Sequence, residues 1–221
     1  MSDRHPTTFQ TIEAVILDYG EVLCSPPELY QIVRMAEVFN LRPDVFRSLY
    51  EKNRRLYDRG DITAQRYWEL LGVDAGITLT SSQLDQLRAW DVEMWSRLNP
   101  VMVDWVGALH SAGMKTGLLS NMHADMIVRV RQSFAWFSQI DCPIFSHEVR
   151  LAKPEPAIYK RCLESLQISP RQAMFIDDRA VNVEAAHKLG MSAIRFQSAM
   201  QLKQELRALG FPVLPNTLTS V

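Results

Sequence analysis

Short apolar segments that alternate with helical patterns constrain the fold of this chain more than any other feature. The first lies at 15–17, and later ones follow at 116–120, 142–146, 173–177 and 192–196. Continuous apolar segments of this length are typical of parallel strands buried on both faces, and parallel strands need long, usually helical, connections. The pattern therefore predicts an α/β protein with a parallel sheet and helices on both of its faces.

The periodicity between the first strand and residue 98 is helical throughout. The residues that signal helix starts are Pro43, Thr63 and the capping-box pair Thr80 and Gln83. We expect the helix capped by Thr63 to end at Leu71-Gly72. This part of the sequence contains no convincing strand, so it predicts an all-helical insertion at 26–97 within a core formed by 1–25 and 98–221.

Composition excludes several classes of function. Hydrophobic residues make up 47% of the 221 residues and charged residues 22%, which is ordinary for a globular chain. The net charge of −1 provides no field to attract nucleic acid or anionic membranes. The three cysteines, Cys24, Cys142 and Cys162, lack the spacing of a disulfide framework or a zinc site. Without an apolar signal region at the N-terminus, we expect a soluble, cytoplasmic protein that binds neither nucleic acid nor membranes.

Polar residues follow the predicted strands at the edge where open parallel sheets bind ligands. They are Asp18, the pair Ser120-Asn121, the pair Asp177-Asp178, and Lys153 in a loop before a helix. Taken singly, most have a structural explanation: Asp18 could bind a backbone amide and Lys153 could be exposed. Adjacent carboxylates at a buried strand end are different, because they repel each other unless a cation or donor holds them. The shared position of all these residues favours a functional site.

Phosphoryl transfer is the chemistry that requires this set of side chains. A phosphate concentrates negative charge, so its site needs a hard cation such as Mg²⁺ held by oxygen ligands. Asp18 and Asp178 can supply carboxylates, and a backbone carbonyl can add another ligand. Lys153 can neutralise phosphate oxygens, while Ser120 and the amides around Asn121 donate to them. A carboxylate that faces phosphorus can also act as a nucleophile.

Four motifs give the sequence a family resemblance. They are VILDYGEVL at 15–23, LLSN at 118–121, KPEPAIY at 153–159 and FIDDRAVNVEAAHKLGM at 175–191. In this order and spacing they resemble the haloacid dehalogenase (HAD) superfamily across almost the whole chain. The insertion at 26–97 is similar to the small helical cap that these enzymes place over the active site, so we call it the cap.

The resemblance implies a Rossmann-like core and a role for each candidate residue. Asp18 would be the catalytic nucleophile, and Lys153 would secure both this nucleophile and the phosphate. The implied phosphate-binding residues are Ser120, Asn121 and Lys153. The implied ligands of Mg²⁺ are Asp18, Asp178 and the backbone carbonyl of Gly20, with Asp177 and Asn182 supporting them.

Gly20 departs from the family pattern. Most phosphatases of the family carry a second aspartate there, which protonates the leaving oxygen; such acid–base help is worth about 10²–10⁴ in rate. The substrate could therefore have a good leaving group, Glu21 or a cap residue could supply the proton, or the protein could be a weak relative. A subgroup that resembles bacterial α-D-glucose-1-phosphate phosphatases also has glycine in a D-x-G-x-V frame, so we favour the first interpretation.

Two other functions stay open from the sequence. Dehalogenases of the superfamily share the aspartate nucleophile and need no metal, although a metal-free site gains little from Asp177-Asp178. A catalytically weak relative could bind phosphate without turnover. For the main hypothesis we expect a small phosphorylated metabolite as substrate and a monomer or homodimer. Trp90 and Trp95 are compatible with a dimer but could equally pack within the cap. Candidate cap residues for specificity are Tyr30, Arg54, Arg55, Tyr57, Arg59, Tyr67 and Trp68.

Overall fold

The computed structural model describes residues 12–217 and contains one five-stranded sheet. The strands are β1 (Ala14–Leu17), β2 (Lys115–Ser120), β3 (Cys142–Phe145), β4 (Ala173–Asp177) and β5 (Ser192–Arg195). Their order in the sheet is β3-β2-β1-β4-β5, and every neighbouring pair is parallel. The predicted α/β class with a Rossmann-like parallel sheet is confirmed.

Helices cover both faces of this sheet and form the cap. The cap helices are α1 (Leu29–Val38), α2 (Pro43–Lys52), α3 (Arg54–Arg59), α4 (Ala64–Ala75) and α5 (Ser81–Met94). The later helices are α6 (Pro100–Ser111), α7 (Ala124–Ser133), α8 (Ser146–Val149), α9 (Pro156–Leu166), α10 (Ala180–Lys188) and α11 (Ala199–Ala208). Within residues 12–217, none of these helices has the length and apolar character required to cross a bilayer.

Strand β1 is the centre of the core. All four of its residues are fully buried, and successive side chains point to opposite faces of the sheet. Val15 and Leu17 belong to one apolar cluster, whereas Ala14 and Ile16 belong to a second cluster on the other face. The short apolar sequence is thus explained by burial on both faces.

The cap has an apolar cluster of its own, built around Phe46 and Trp68. The N-caps predicted at Thr63 and Thr80 are present, the second as a capping box with Gln83. The predicted end of the Thr63 helix was wrong: α4 continues past Leu71-Gly72 to Ala75. It ends where Gly76 takes a left-handed conformation, with φ of 74°. Gly72 fits inside the helix, although glycine is unfavourable there.

The sheet order brings the polar strand ends together. Leu17 of β1 lies level with Leu118 of β2 and Ile176 of β4. Asp18 therefore follows β1 between the ends of its two neighbours, and its backbone N–H donates to the carbonyl of Ile176 at 2.9 Å. Cys24 and Leu98 form an isolated antiparallel bridge, so the two chain segments that lead to and from the cap run side by side.

Replacing Leu118 by alanine tests the central packing. Leu118 is fully buried in β2, so Leu118→Ala should lower the free energy of unfolding by about 2–5 kcal/mol. Val128→Ala, at a side chain that is 51% exposed, should change it by less than about 0.5 kcal/mol. Urea unfolding followed by circular dichroism measures both. Equal effects would contradict the assigned packing of β2.

Candidate active site

A buried ammonium group links two of the strand-end carboxylates. Lys153 Nζ lies 2.8 Å from Asp18 Oδ1 and 2.7 Å from Asp177 Oδ2. The Lys153 side chain is only 1% exposed, so the lysine is part of the interior. The same oxygen of Asp18, Oδ1, also accepts a hydrogen bond from the neighbouring Tyr19 N–H at 2.7 Å.

Asn121 fixes the loop that carries Lys153. Its Nδ2 donates to the Lys153 carbonyl at 3.0 Å, and its Oδ1 accepts from the Lys153 N–H at 2.8 Å. Both ends of the amide side chain therefore bind the loop backbone. The predicted role of Asn121 in phosphate binding stays a prediction, and the observed contacts make it a positioning residue for Lys153. Ser120 is buried at the end of β2, beside the same cavity.

Asp177 is held from several directions. Besides Lys153, it accepts from the Arg179 N–H at 2.9 Å and from Asn182 Nδ2, at 2.9 Å to Oδ1 and 3.0 Å to Oδ2. Asn182 is itself anchored, since its carbonyl accepts from the Tyr159 hydroxyl at 3.0 Å. These contacts orient Asp177 toward Lys153.

Three carboxylates converge at this edge of the sheet. One oxygen from each of Asp18, Asp177 and Asp178 lies within 4.8 Å of the others. Because the oxygens of Asp177 already bind protein donors, Asp18 and Asp178 are the members best placed to bind a cation. The structure thus brings together the predicted residues Asp18, Lys153, Asp177, Asp178 and Asn182.

Burial and crowding raise the pKa values of these acids. Loss of solvent raises the pKa of Asp18 to about 7, against the opposing effect of the Lys153 ammonium. Loss of solvent and the nearby Asp177 raise the pKa of Asp178 to about 6. Burial alone would lower the pKa of Lys153, but Asp177 and Asp18 raise it overall, so this lysine stays charged.

A cavity of about 680 Å³ opens above the carboxylates, between the core and the cap. Its core lining includes Asp18, Gly20, Ser120, Asn121, Lys153, Asp178 and Asn182. Its cap lining consists of Tyr50, Glu51, Arg54, Arg55, Asp58 and Trp95. The volume is several times that of a phosphate group, so a larger molecule can occupy the space under the cap.

Gly20 lies on the cavity wall with room for a Cβ. Its φ is outside the left-handed region, so the backbone does not require glycine. A Cβ at this position would stand 3.8 Å from Cζ3 of Trp95, an ordinary van der Waals distance. Glu21, the neighbouring acid, has a left-handed φ of 54° and lines the same cavity.

A buried polar network, which we call the cap network, joins the cap to the core through Tyr50, Arg54, Asp91, Trp95 and His123. Arg54 donates to both oxygens of Asp91, at 3.0 and 2.9 Å. The Tyr50 hydroxyl donates to Asp91 Oδ1 at 2.6 Å and accepts from Trp95 Nε1 at 3.0 Å. From the core, His123 Nε2 approaches Asp91 Oδ2 at 3.3 Å without hydrogen-bond geometry.

The pKa values of His123 and Asp58, two of the titratable groups of this region, are shifted. Burial lowers the pKa of His123 to about 4, although Asp91 opposes the shift, so the ring is neutral at pH 7. Its Nδ1 lies 3.0 Å from the Tyr57 hydroxyl, and the two rings stack at 4.6 Å. Burial raises the pKa of Asp58 to about 7, against the effect of Arg54, which binds it at 3.0 Å.

The cap candidates from the sequence have different positions. Arg54 and Arg55 line the cavity, but both are already paired with carboxylates. Tyr67 and Trp68 are buried in the cap cluster, and Tyr30 is 56% exposed. The sequence analysis missed Tyr50 and Asp91 and considered Trp95 only for a dimer or for packing within the cap. Asp91 gave one signal, because at helical spacing it shares a face with the apolar Leu87 and Met94 of α5.

Comparison with known proteins agrees with this geometry. Residues 12–190 match the family profile of haloacid dehalogenase-like hydrolases. The chain belongs to this family. The chain thus has the fold of this family, and the resemblance identified from the four motifs is confirmed.

Individual relatives cover different parts of the chain. Acyl-CoA dehydrogenase family member 10 of Mus musculus is 29% identical over 167 residues, which are 72% of this chain but only 15% of the mouse protein. (S)-2-haloacid dehalogenase 1 of Pseudomonas sp. is 27% identical over 43% of this chain and 42% of its own length. The chain thus spans less than half the length of either curated relative.

A solved structure shares the fold. A HAD family enzyme from Bacteroides thetaiotaomicron, determined in complex with magnesium and inorganic phosphate, aligns with a TM-score of 0.68 and 21% identity. The alignment covers 84% of this chain and 94% of the Bacteroides chain. At this identity the similarity establishes the architecture alone.

Removing the buried ammonium should destabilise the protein in a pH-dependent way. Lys153→Met leaves Asp18 and Asp177 without their cation, which should cost about 3–5 kcal/mol of unfolding free energy at pH 8. The cost should be smaller at pH 5. The pKa of Asp18 in the folded protein is about 7, above its unfolded value, so at pH 5 this carboxyl is protonated and needs no cation. The stability contributed by this protonated carboxyl is lost as the pH rises through about 7.

Urea unfolding in EDTA at both pH values measures this difference. The control is Lys160→Met, at an exposed lysine of α9, which should have a small and pH-independent effect. A Lys153→Met cost that is as large at pH 5 as at pH 8 would contradict the electrostatic assignment.

Proposed function

We propose that the protein is a Mg²⁺-dependent phosphatase of a small phosphorylated metabolite, acting through an aspartyl-phosphate on Asp18. The observation that carries the proposal is the Lys153 ammonium, buried at 2.8 Å from Asp18 and 2.7 Å from Asp177 at the floor of the cavity. This arrangement places one fixed positive charge beside a carboxylate that faces open space. A phosphate group at that point meets both a cation and a nucleophile.

The donor set suits Mg²⁺. Asp18 and Asp178 offer carboxylate oxygens within 4.8 Å of each other, and the backbone of Gly20 lines the same cavity. Oxygen ligands of this kind favour hard cations. When bound, the cation would neutralise the charge that phosphate oxygens and carboxylates bring together. The Bacteroides enzyme with the same fold was solved with magnesium and phosphate, which supports this choice of cation.

The chain's own residues can then perform two steps. In the first, a carboxylate oxygen of Asp18 attacks phosphorus, and the bond to the leaving oxygen breaks with its electron pair on that oxygen. In the second, water attacks the phosphorus of the aspartyl-phosphate, which releases inorganic phosphate and restores the Asp18 carboxylate. Lys153 holds Asp18 in place and offsets phosphate charge, with Ser120 beside it at the end of β2.

Because residue 20 is a glycine, the proposed substrates are phosphates with good leaving groups. No carboxyl at residue 20 can protonate the leaving oxygen, so the site suits a leaving oxygen that departs as a stable anion. Anomeric, acyl and aryl phosphates meet this requirement. The large cavity under the cap fits a sugar-sized leaving group of this kind.

Dehalogenation is the second candidate, because one relative of the chain is a 2-haloacid dehalogenase. A metal-free site, however, would not need two adjacent acids, Asp177 and Asp178, beside the nucleophile. The cap arginines that could receive a substrate carboxylate are already paired: Arg54 with Asp58 and Asp91, and Arg55 with Glu155. Both observations favour phosphate over a haloacid.

The decisive assay compares substrates by leaving group. With Mg²⁺, the protein should release phosphate from acetyl phosphate, 4-nitrophenyl phosphate and glucose 1-phosphate. It should act on glycerol 1-phosphate more slowly by about 10²-fold or more, because no carboxyl at residue 20 protonates the alkoxide. EDTA should abolish release, and Asp18→Asn should reduce it by at least about 10³-fold.

Two controls accompany this assay. Asp104→Asn, at an exposed acid of α6, should retain full activity. Chloride release from 2-chloropropionate in EDTA measures dehalogenation, and activity there without phosphatase activity would overturn the proposal. Binding of phosphate without turnover of any substrate would identify the protein as a non-catalytic relative.

The shifted carboxyl groups should make Mg²⁺ binding pH-dependent. At pH 6 Asp18, with a pKa of about 7, is about nine-tenths protonated, and Asp178, with a pKa of about 6, is half protonated. The cation must displace these protons, so affinity should be about tenfold or more weaker at pH 6 than at pH 8. Isothermal titration calorimetry in two buffers of different ionisation enthalpy should detect the proton release. Equal affinity with no proton release would refute the assignment of these ligands.

A further inference from the structure

Trp95 is the cap residue that stands closest to the gap left by Gly20. Its Cζ3 lies 3.8 Å from the position of a Cβ on residue 20, and its side chain lines the cavity above Asp18. Trp95 packs against the apolar cluster of the core and also against that of the cap. It lies just beyond α5, where the chain returns from the cap to the core.

Trp95 is held through its indole N–H and through its backbone carbonyl. Nε1 donates to the Tyr50 hydroxyl at 3.0 Å, within the cap. The Trp95 carbonyl accepts from the Tyr19 hydroxyl at 2.6 Å, and Tyr19 is the residue between the nucleophile and Gly20. One hydrogen bond thus ties the residue to the cap and the other ties it to the catalytic strand end. The ring position is fixed relative to Asp18.

The remaining surface of the ring is apolar and cannot donate a proton. Its one N–H is used by Tyr50, and the Tyr50 hydroxyl already donates to Asp91. The Tyr19 hydroxyl donates to the Trp95 carbonyl. The indole surface nearest to residue 20 therefore consists of carbon atoms, and it cannot act as the acid that protonates a leaving oxygen.

We propose that Trp95 determines substrate specificity: its indole receives the ring of the leaving group and fills the space that an acid–base side chain at residue 20 would use. This inference rests on the proposed phosphatase function and deepens it. It assigns the substrate to phosphates whose leaving group carries a sugar or aromatic ring attached directly to the phosphate oxygen. The C–H or π face of such a ring packs on indole, and the same contact excludes water from the leaving-group side of Asp18.

Two substrates separate ring recognition from leaving-group quality. Acetyl phosphate and 4-nitrophenyl phosphate both have good leaving groups, but only the second has a ring. Trp95→Leu retains apolar bulk between cap and core while it removes the aromatic face. We expect it to lower kcat/KM for 4-nitrophenyl phosphate and glucose 1-phosphate by about tenfold or more, mainly through KM. Its kcat/KM for acetyl phosphate should stay within about threefold.

Trp90→Leu is the matched control. Trp90 is on α5 and packs against the cap cluster, but it does not line the cavity. It should leave the ratio of kcat/KM for the two substrates unchanged, even if it lowers stability. Trp95→Phe keeps a ring and should retain most of the selectivity.

A second measurement tests whether the indole of Trp95 fills the space that a side chain at residue 20 would use. Gly20→Asp should gain little activity on glycerol 1-phosphate while the indole is present. In combination with Trp95→Leu the gain should be larger than the product of the two single effects. A purely structural Trp95 would give no such coupling.

The outcomes are distinguishable. Absence of metal-dependent, Asp18-dependent phosphate release from acetyl phosphate would overturn the proposed function, and the specificity role with it. Release from acetyl phosphate combined with equal losses on both substrates in Trp95→Leu would overturn the specificity role alone. Selective loss on the ring substrates, together with the coupling to residue 20, would support it.

Discussion

The ammonium group of Lys153, buried between the carboxylates of Asp18 and Asp177, is the interaction on which the rest of the site depends. Removing a charge from water is costly, so this lysine can be interior only because two acids surround it. Those acids follow β1 and β4, which are neighbours in the sheet, and the loop of Lys153 is fixed by Asn121 from the end of β2. Residues at the ends of three adjacent strands, β2, β1 and β4, thus hold the one lysine.

The arrangement also gives Asp18, Asp177 and Asp178 different surroundings, although all three are aspartates. Asp177 and Asp178 are adjacent in sequence, but Asp177 is the last residue of β4, whereas Asp178 lies just beyond the strand. Asp177 is turned to Lys153 and Asn182 and is fully buried, whereas Asp178 lines the cavity. Asp18 takes an intermediate position, in contact with Lys153 and open to the cavity. Their environments, and not their chemical type, separate a structural acid from those that can face a substrate.

The sequence predicted the sheet and its polar edge because both depend on local pattern. Apolar segments locate strands, and parallel pairing brings residues that follow them to one edge, which is why Asp18 and Asp177 could be anticipated. Helical periodicity in the cap shows which side of a helix is buried, but not which atoms it meets. The hydrogen bonds of Asp91 depend on how the cap helices pack on one another, and those of Trp95 depend also on how the cap is placed on the core. That placement is a property of tertiary packing, which no local pattern of residues 26–97 contains.

The cap network positions the aromatic surface that the cap presents beside Gly20. Arg54 faces two acids, Asp58 and Asp91, and burial raises the pKa of Asp58 to about 7. An arginine so occupied has little attraction left for a second anion. The same network orients Tyr50, which in turn holds the indole of Trp95. Charge in the cap therefore serves to place an aromatic surface beside a glycine, and under the proposed function such a site would gain selectivity from shape and leaving-group chemistry together.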